Sequence, residues 1–183
     1  DIAKYTAKIM RADMAGGPLL DLGTYPIAFA TKILGAPTKV LASGQSAPSG
    51  VNGQASILLA HERDAQSVLH TTLFSHTPCQ AVIAGSEGTV TIPGSFYAPG
   101  RFLVADNSNV VRLEYREEPN RYQQLFHEAI HFAECVGEGR LESPIRPLSD
   151  SITTLETLDE VRRQLGIVFN EEKASDGQGR AAR

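Results

Sequence analysis

The sequence contains no tryptophan and only two cysteines among its 183 residues. Two thiols, Cys79 and Cys135, are too few for a disulfide framework, so a reducing cytoplasm is the expected compartment. No apolar run approaches the roughly 20 residues that a membrane-spanning helix needs, and the first residues show no signal-peptide pattern. Acidic residues outnumber basic ones by 21 to 17, and the formal net charge is −4. We therefore expect neither a nucleic-acid nor a membrane partner.

What is present fits one folded domain with its own core. Hydrophobic residues make up 42% and charged residues 21% of the chain, as in ordinary globular proteins. Because the chain begins with Asp1 rather than methionine, we expect that earlier residues are missing. We interpret 1–14 as the remnant of a linker or helix, 15–169 as the domain, and 170–183 as a disordered tail.

Short alternating segments joined by tight turns predict an α+β fold. We expect a single open, largely antiparallel (mixed) sheet of about six strands, with helices on one face and the other face available for oligomerisation. Strands are predicted over 38–45, 54–62, 66–75, 80–85, 89–93, 102–105 and 110–115. An amphipathic helix is predicted over 122–138. A last helix, capped by Ser149 or Asp150 and ended by Gly166, should bury the stripe Ile152, Leu155, Leu158, Val161 and Leu165.

The stretch AGGPLLDLGTYPIAFATKILG, residues 15–35, is the most informative segment. Proline is tolerated in a first helical turn, so a helix is predicted from Pro18 to about Leu34. Pro26 cannot donate to the carbonyl of Leu22, which predicts a bend.

Within that helix, Asp21 and Tyr25 lie four residues apart and therefore share a face. Gly23, between them, leaves bare backbone that a ligand could approach closely. The alternative interpretation is that Asp21 is only a favourable charge in a first helical turn and Tyr25 a core residue.

His127-Glu128-Ala129-Ile130-His131 matches H-E-x-x-H, the signature of zinc proteases. Two histidines four apart on a helix can bind zinc, with the glutamate as base. We favour a solvated face instead, because these histidines fall beside Glu134 and no third histidine follows. We predict no metal site.

Phe96 and Tyr97 are adjacent aromatic residues that follow a predicted strand. They could line a substrate pocket or a subunit contact, and a packed loop is equally consistent with the pattern.

The segment GGPLLDLGTYPIAFA resembles the motif that begins the C-terminal domain of the Gfo/Idh/MocA family of NAD(P)-dependent oxidoreductases. Tyrosine at the position of Tyr25 is similar to the dimeric dihydrodiol dehydrogenase and glucose–fructose oxidoreductase branch, whereas most branches carry histidine there. The likeness continues through GVNGQASILL, AVIAGSEGTVTIPGSFYAPGRF and HEAIHFAECVGEGRLESPIRPLSDSITTLETLDEVRRQLG. It covers nearly all of residues 15–166.

The resemblance implies that Tyr25 is the proton donor or acceptor and that Asp21 orients it or the substrate hydroxyl. A free tyrosine titrates near pH 10, and in the family a lysine of an E-K-P motif supplies the cation that lowers this value. The chain contains no E-K-P motif and no glycine-loop unit for a dinucleotide. NAD or NADP would therefore be bound mainly by an N-terminal Rossmann domain that this chain lacks.

The resemblance further implies a sugar, polyol or dihydrodiol substrate, and a homodimer or higher homo-oligomer formed through the open sheet face. Gly23 would be the point of close cofactor approach. We expect the chain alone to be inactive. A non-catalytic dimerisation module is the alternative function, and a zinc hydrolase the less favoured one.

Overall fold

The computed structural model describes residues 8–98, 100–117, 125–169 and 172. The chain divides into two compact units, one formed by residues 1–76 and 146–183 and the other by residues 77–145. The first seven residues of the predicted linker remnant, and the predicted tail apart from Glu172, lie outside the described residues. Within the described part of the chain, no helix has the length and apolar character required to cross a bilayer.

The elements follow one another in an α+β order. In chain order they are α1 (Pro18–Asp21), α2 (Thr24–Leu34), β1 (Lys39–Ser46), β2 (Asn52–Ala60), β3 (Gln66–Thr72), β4 (Ala81–Ala84), β5 (Gly88–Ile92), β6 (Arg101–Asp106), β7 (Val111–Arg116), α3 (Leu125–Gly137) and α4 (Leu148–Leu165). Short 3₁₀ turns lie at Ala12–Met14 and Glu62–Asp64.

The first unit is built on a three-stranded antiparallel sheet in the order β1-β2-β3. Successive strand residues point to opposite faces, so Ala55, Ile57 and Leu59 of β2 all face inward, and each is almost completely buried. Helices α1, α2 and α4 cover this face. Their contribution to the same core is Leu19, Ile27, Ala30, Leu158 and Val161.

The second unit contains a four-stranded antiparallel sheet in the order β4-β5-β6-β7. The register places Ile83, Val90, Val104 and Leu113 side by side across the four strands. All six residues of β7 are exposed. Among the described residues of this unit, Cys135 is the only buried hydrophobic residue.

The α+β class and the antiparallel pairing are confirmed. The strands form two sheets, of three and four strands, rather than the single sheet of about six that we predicted. The break follows β3, which ends at Thr72 instead of residue 75. The Leu73 N–H still donates to the Gly53 carbonyl of β2 at 2.8 Å, whereas the Phe74 N–H donates locally to the Thr72 hydroxyl oxygen at 3.0 Å.

The last helix corrects two expectations. Pro147 occupies the N-cap position and makes no side-chain cap, so neither Ser149 nor Asp150 caps the helix. The buried stripe is Thr154, Thr157, Leu158 and Val161, whereas Ile152 and Leu155 are 47% and 56% exposed. The threonines can be buried because each hydroxyl donates to the carbonyl four residues earlier, at 2.8 Å. Gly166 ends the helix in a left-handed conformation, as predicted.

In the described part of the predicted helix 122–138, the apolar side is exposed. Phe126, Ile130 and Val136 are 46%, 50% and 59% exposed, and within α3 only Cys135 is buried. The amphipathic pattern therefore predicted the helix correctly. Among the contacts of the described residues, none covers the apolar side of this helix.

Candidate functional site

The segment predicted as one bent helix is two helices separated by Leu22 and Gly23. Both ends agree with the prediction, since α1 begins at Pro18 and α2 ends at Leu34, before Gly35. At the break, the Pro18 carbonyl accepts backbone N–H groups from both Leu22 and Gly23, each at 2.8 Å. The second of these bonds spans five residues rather than four, which widens the turn.

Two of the carbonyls at this break have local partners. The Leu22 carbonyl, which Pro26 cannot reach as a donor, accepts the N–H of Tyr25 at 3.4 Å. The Asp21 carbonyl accepts the hydroxyl of Thr24 at 3.3 Å. The predicted effect of Pro26 is therefore present, and it interrupts the helix instead of only bending it.

Gly23 has a structural reason to be glycine. It is buried, and a Cβ at this position would lie 2.3 Å from the carbonyl oxygen of Leu19. Such a distance is far below van der Waals contact, so a larger residue would force the backbone apart. The close approach at Gly23 is thus made by the chain's own backbone, and its predicted contact with a cofactor stays a prediction.

Asp21 ends α1, and Tyr25 is the second residue of α2. Both are exposed, Tyr25 to 48%. The backbone of Leu22 and Gly23 stays in the right-handed region, so the two side chains remain about one turn apart. The structure therefore places a carboxylate and a phenol at one accessible helix break.

Lys32, further along α2, has its ammonium 3.2 Å from a carboxylate oxygen of Asp150 in α4. Lys32 therefore forms an ion pair within the first unit, as expected for a surface lysine.

Phe96 and Tyr97 lie in the second unit, in a turn after β5. Their rings meet edge to face with centroids 5.4 Å apart. The Phe96 N–H donates to the Cys79 carbonyl at 3.0 Å, and Tyr97 is 52% exposed. The geometry is that of a fixed turn with one accessible phenol, and the predicted substrate contact stays a prediction.

The H-E-x-x-H segment lies on α3, as expected. The His127 ring packs on Phe126 with centroids 4.1 Å apart, while His131 Nε2 lies 2.7 Å from the Ser143 hydroxyl. Among the described residues, no group of three histidine, cysteine or acidic side chains could hold a metal ion. His131 Nε2 also lies 3.6 Å from Cys135 Sγ, a neighbour whose i, i+4 spacing could have been read from the sequence.

Thr71 is the residue near the helix break that sequence reasoning missed. It is 7% exposed, and its hydroxyl donates to the Pro18 carbonyl at 3.3 Å. No local pattern signals this bond, because 53 residues separate the two partners.

The antiparallel α+β fold agrees with the comparisons with known proteins. Residues 3–91 match the family described as the GFO/IDH/MocA C-terminal domain. The chain belongs to the Gfo/Idh/MocA family.

Two curated relatives show how far the likeness extends. The chain is 31% identical over 170 residues to trans-1,2-dihydrobenzene-1,2-diol dehydrogenase of Xenopus tropicalis, covering 88% of this chain and 52% of that protein. It is 31% identical over 162 residues to scyllo-inositol 2-dehydrogenase (NADP(+)) of Bacillus subtilis (strain 168), covering 88% and 48%. The chain thus spans about half the length of the curated relatives that it matches.

Solved structures share the fold at lower identity. A 3-ketoreductase from Actinomadura kijaniata, in complex with NADP and TDP-benzene, superimposes with a TM-score of 0.71 at 23% identity, covering 86% of this chain and 49% of that one. An aldose–aldose oxidoreductase from Caulobacter crescentus gives a TM-score of 0.65 at 21% identity, covering 81% and 45%.

Proposed function

We propose that this chain supplies the proton-transfer half of the active site of an NAD(P)-dependent oxidoreductase that acts on CH–OH groups of sugars, polyols or dihydrodiols. The observation that carries the proposal is the exposure of both Asp21 and Tyr25 at the break between α1 and α2. The family membership and the activities named for the relatives support it.

Oxidation of an alcohol requires removal of the hydroxyl proton as hydride leaves the carbon. The Tyr25 phenolate oxygen would accept that proton in oxidation, and the resulting phenol would return it in reduction. The Asp21 carboxylate, one turn away, would accept a hydrogen bond from the phenol or from a substrate hydroxyl and so fix its orientation. NAD or NADP, when bound, would accept or supply the hydride.

The residues of this chain fit the proton-transfer step, because they provide an accessible phenol and carboxylate. Gly23 is proposed as the nearest backbone to the cofactor, and Phe96 with Tyr97 as part of the substrate pocket. The pyrophosphate would be held by polypeptide other than this chain, since the sequence has no glycine-rich dinucleotide motif. The 183-residue chain alone should therefore show no nicotinamide turnover.

The test is Tyr25→Phe in the complete natural gene product. We expect kcat to fall by about 10²- to 10⁴-fold, with the Kd for the cofactor nearly unchanged, because only the proton-transferring oxygen is lost. Tyr115→Phe is the matched control, since Tyr115 is 44% exposed and lies on β7. An unchanged kcat in the Tyr25 variant would remove this residue from the mechanism.

We also propose a homo-oligomer formed through the outward face of the sheet β1-β2-β3. Register places Leu41, Leu58 and Val68 in one apolar row across this face, and Val68 is 79% exposed. The neighbouring rows are mostly uncharged, and Lys39 at the margin is the only lysine. The twelve outward positions, which include no carboxylate, are Lys39, Leu41, Ser43, Gln45, Gln54, Ser56, Leu58, Ala60, Gln66, Val68, His70 and Thr72. A face without like charges suits contact with a second copy.

Val68→Glu tests this surface by placing like charges in the contact. Sedimentation equilibrium should show a lower oligomeric mass for this variant and an unchanged mass for Val110→Glu, a control at a 46% exposed loop position. Equal masses for both variants would exclude this face. A dimer that turns over no alcohol substrate would instead favour the non-catalytic dimerisation module.

A cytoplasmic location is also our proposal, and it rests on the low cysteine content and the two free thiols, Cys79 and Cys135.

A further inference from the structure

We propose that Thr71 is a positioning residue that sets the orientation of Asp21 relative to Tyr25. The inference rests on the proposed function of that pair. It starts from the Pro18 carbonyl, which accepts three hydrogen bonds, from the N–H groups of Leu22 and Gly23 and from the Thr71 hydroxyl.

The position of this carbonyl decides the geometry of the break. A regular helix would give the Gly23 N–H to the carbonyl of Leu19, four residues earlier. Here that N–H reaches back five residues to Pro18, and the turn between the two helices is correspondingly wider. The choice between the two partners changes the angle at which α2, with Tyr25, leaves α1, with Asp21.

Thr71 ties this carbonyl to the sheet. It lies on β3 directly opposite Ala55 of β2, which is completely buried in the core. Its hydroxyl therefore connects the first residue of α1 to the part of the unit that packs most tightly. Gly17 packs against the same sheet, since a Cβ there would lie 3.0 Å from the Asn52 carbonyl oxygen. With the Pro18 carbonyl tied to the sheet by Thr71, the wide turn is the favoured arrangement.

The hydroxyl, rather than the volume of the side chain, is the part that matters in this inference. Thr71→Val keeps the size and the branching while it removes the donor. Thr71→Ser keeps the donor and removes a methyl group. Thr157 is a matched control, because it is 4% exposed and its hydroxyl also donates to a backbone carbonyl, at 2.8 Å within α4.

The experiment compares Thr71→Val, Thr71→Ser and Thr157→Val in the complete natural gene product. We expect Thr71→Val to lower kcat about 10-fold or more while the KM for the cofactor stays constant, because misplacement of a catalytic group acts on the chemical step. Thr71→Ser should retain most of the activity, and Thr157→Val should retain kcat. Amide hydrogen exchange at Leu22 and Gly23 should accelerate in Thr71→Val alone. If Thr71→Val fails to fold, Thr71→Ala replaces it. Because Thr71→Ser lacks the methyl group alone and Thr71→Ala lacks the methyl group and the hydroxyl, the difference between these two variants isolates the effect of the donor.

Two outcomes would overturn the inference. In one, Thr71→Val keeps a normal kcat while Tyr25→Phe loses activity, which leaves the proposed function intact. In the other, Thr71→Val and Thr157→Val lose kcat equally, which indicates a general structural effect. A Tyr25→Phe variant with full activity would refute the proposed function itself, whatever Thr71 does.

Discussion

The two units of this chain differ in how much apolar surface they bury. In the first unit, Ile27, Leu59, Leu158 and Val161 are completely buried, and three helices cover one face of a three-stranded sheet. In the second unit, Val82, Leu113 and Phe132 are 55%, 50% and 69% exposed. Their sequences have similar strand patterns, so the patterns alone do not distinguish a covered sheet from an open one.

The first unit therefore has a core of its own, whereas the described part of the second unit leaves much of its apolar surface exposed. Exposed apolar patches of this kind mark contact surfaces in soluble proteins. The candidate catalytic residues lie on the unit with the core, where a rigid framework can hold their geometry.

The largest expected difference between the units concerns stability. Leu158→Ala should lower the free energy of unfolding by about 2–5 kcal/mol, because it opens a cavity at a fully buried position. Leu113→Ala, at a 50% exposed position of β7, should cost about 1 kcal/mol or less. Urea denaturation of both variants measures the two costs. Equal costs would show that the second unit has a core as well.

A second feature of the first unit is the protection of the β1 edge of its sheet. The edge of β1 is occupied by Gln164 of α4, whose side-chain oxygen accepts the Ala42 N–H and whose nitrogen donates to the Val40 carbonyl, both at 2.8 Å. This amide occupies the edge as a neighbouring strand would and so shields the edge from pairing with another chain.

Gln164→Ala should therefore destabilise the protein by about 1–2 kcal/mol and increase its tendency to associate. Gln80→Ala is the control, because Gln80 is an exposed glutamine outside this sheet and outside the proposed oligomer face. Chemical denaturation and light scattering measure the two effects. If the Gln164 variant showed the same stability and the same light scattering as the control, the Gln164 side chain would not be protecting this edge.

The smallest predicted effect is a pH dependence in α4. Hydrogen bonds from Arg163, and secondarily from Gln164, hold the pKa of the Glu160 carboxyl at about 2, below its ordinary value of 4.5. A lowered pKa in the folded state contributes stability above pH 4.5, and that contribution is lost as the pH falls from 4.5 through 2. Wild type should therefore exceed Glu160→Gln in stability at neutral pH, and the two should converge near pH 2.

Measurement of unfolding free energies between pH 2 and 7 tests this prediction. Asp106→Asn provides the counterpart in the second unit, because the Val110 N–H, followed by Arg112, also lowers the pKa of Asp106. A constant difference between wild type and Glu160→Gln across the range would contradict the ion pair between Arg163 and Glu160, whose nearest atoms lie 2.6 Å apart.

Much of the fold was predictable from short-range patterns. Pro18 and Gly35 marked the limits of the helical segment, and Gly166 the end of α4, because caps and turns depend on neighbouring residues. The buried stripe predicted for α4 was right in part. Leu158 and Val161 are buried and Leu165 packs against the core, whereas Ile152 and Leu155 are exposed. Thr154 and Thr157 are polar residues, but their hydroxyl groups donate hydrogen bonds within the helix, so their burial costs little free energy.

The candidate site likewise has some features that the sequence predicts and others that it does not. Asp21, Gly23 and Tyr25 could be selected from the sequence, since their spacing and the effect of Pro26 are local properties. The Thr71 bond to Pro18 joins residues that are 53 positions apart in the chain. The Gln164 bonds to β1 join residues that are more than 120 positions apart. Only the packing of sheet and helices brings such partners together.

Local sequence patterns were enough to predict the element types, the antiparallel pairing and a carboxylate and a phenol one helical turn apart. Contacts between distant segments account for the Thr71 bond at the helix break, for the division of the strands into two sheets and for the faces that remain open. The physical reason is that hydrogen-bond periodicity acts over a few residues, whereas burial depends on contacts between segments far apart in the chain.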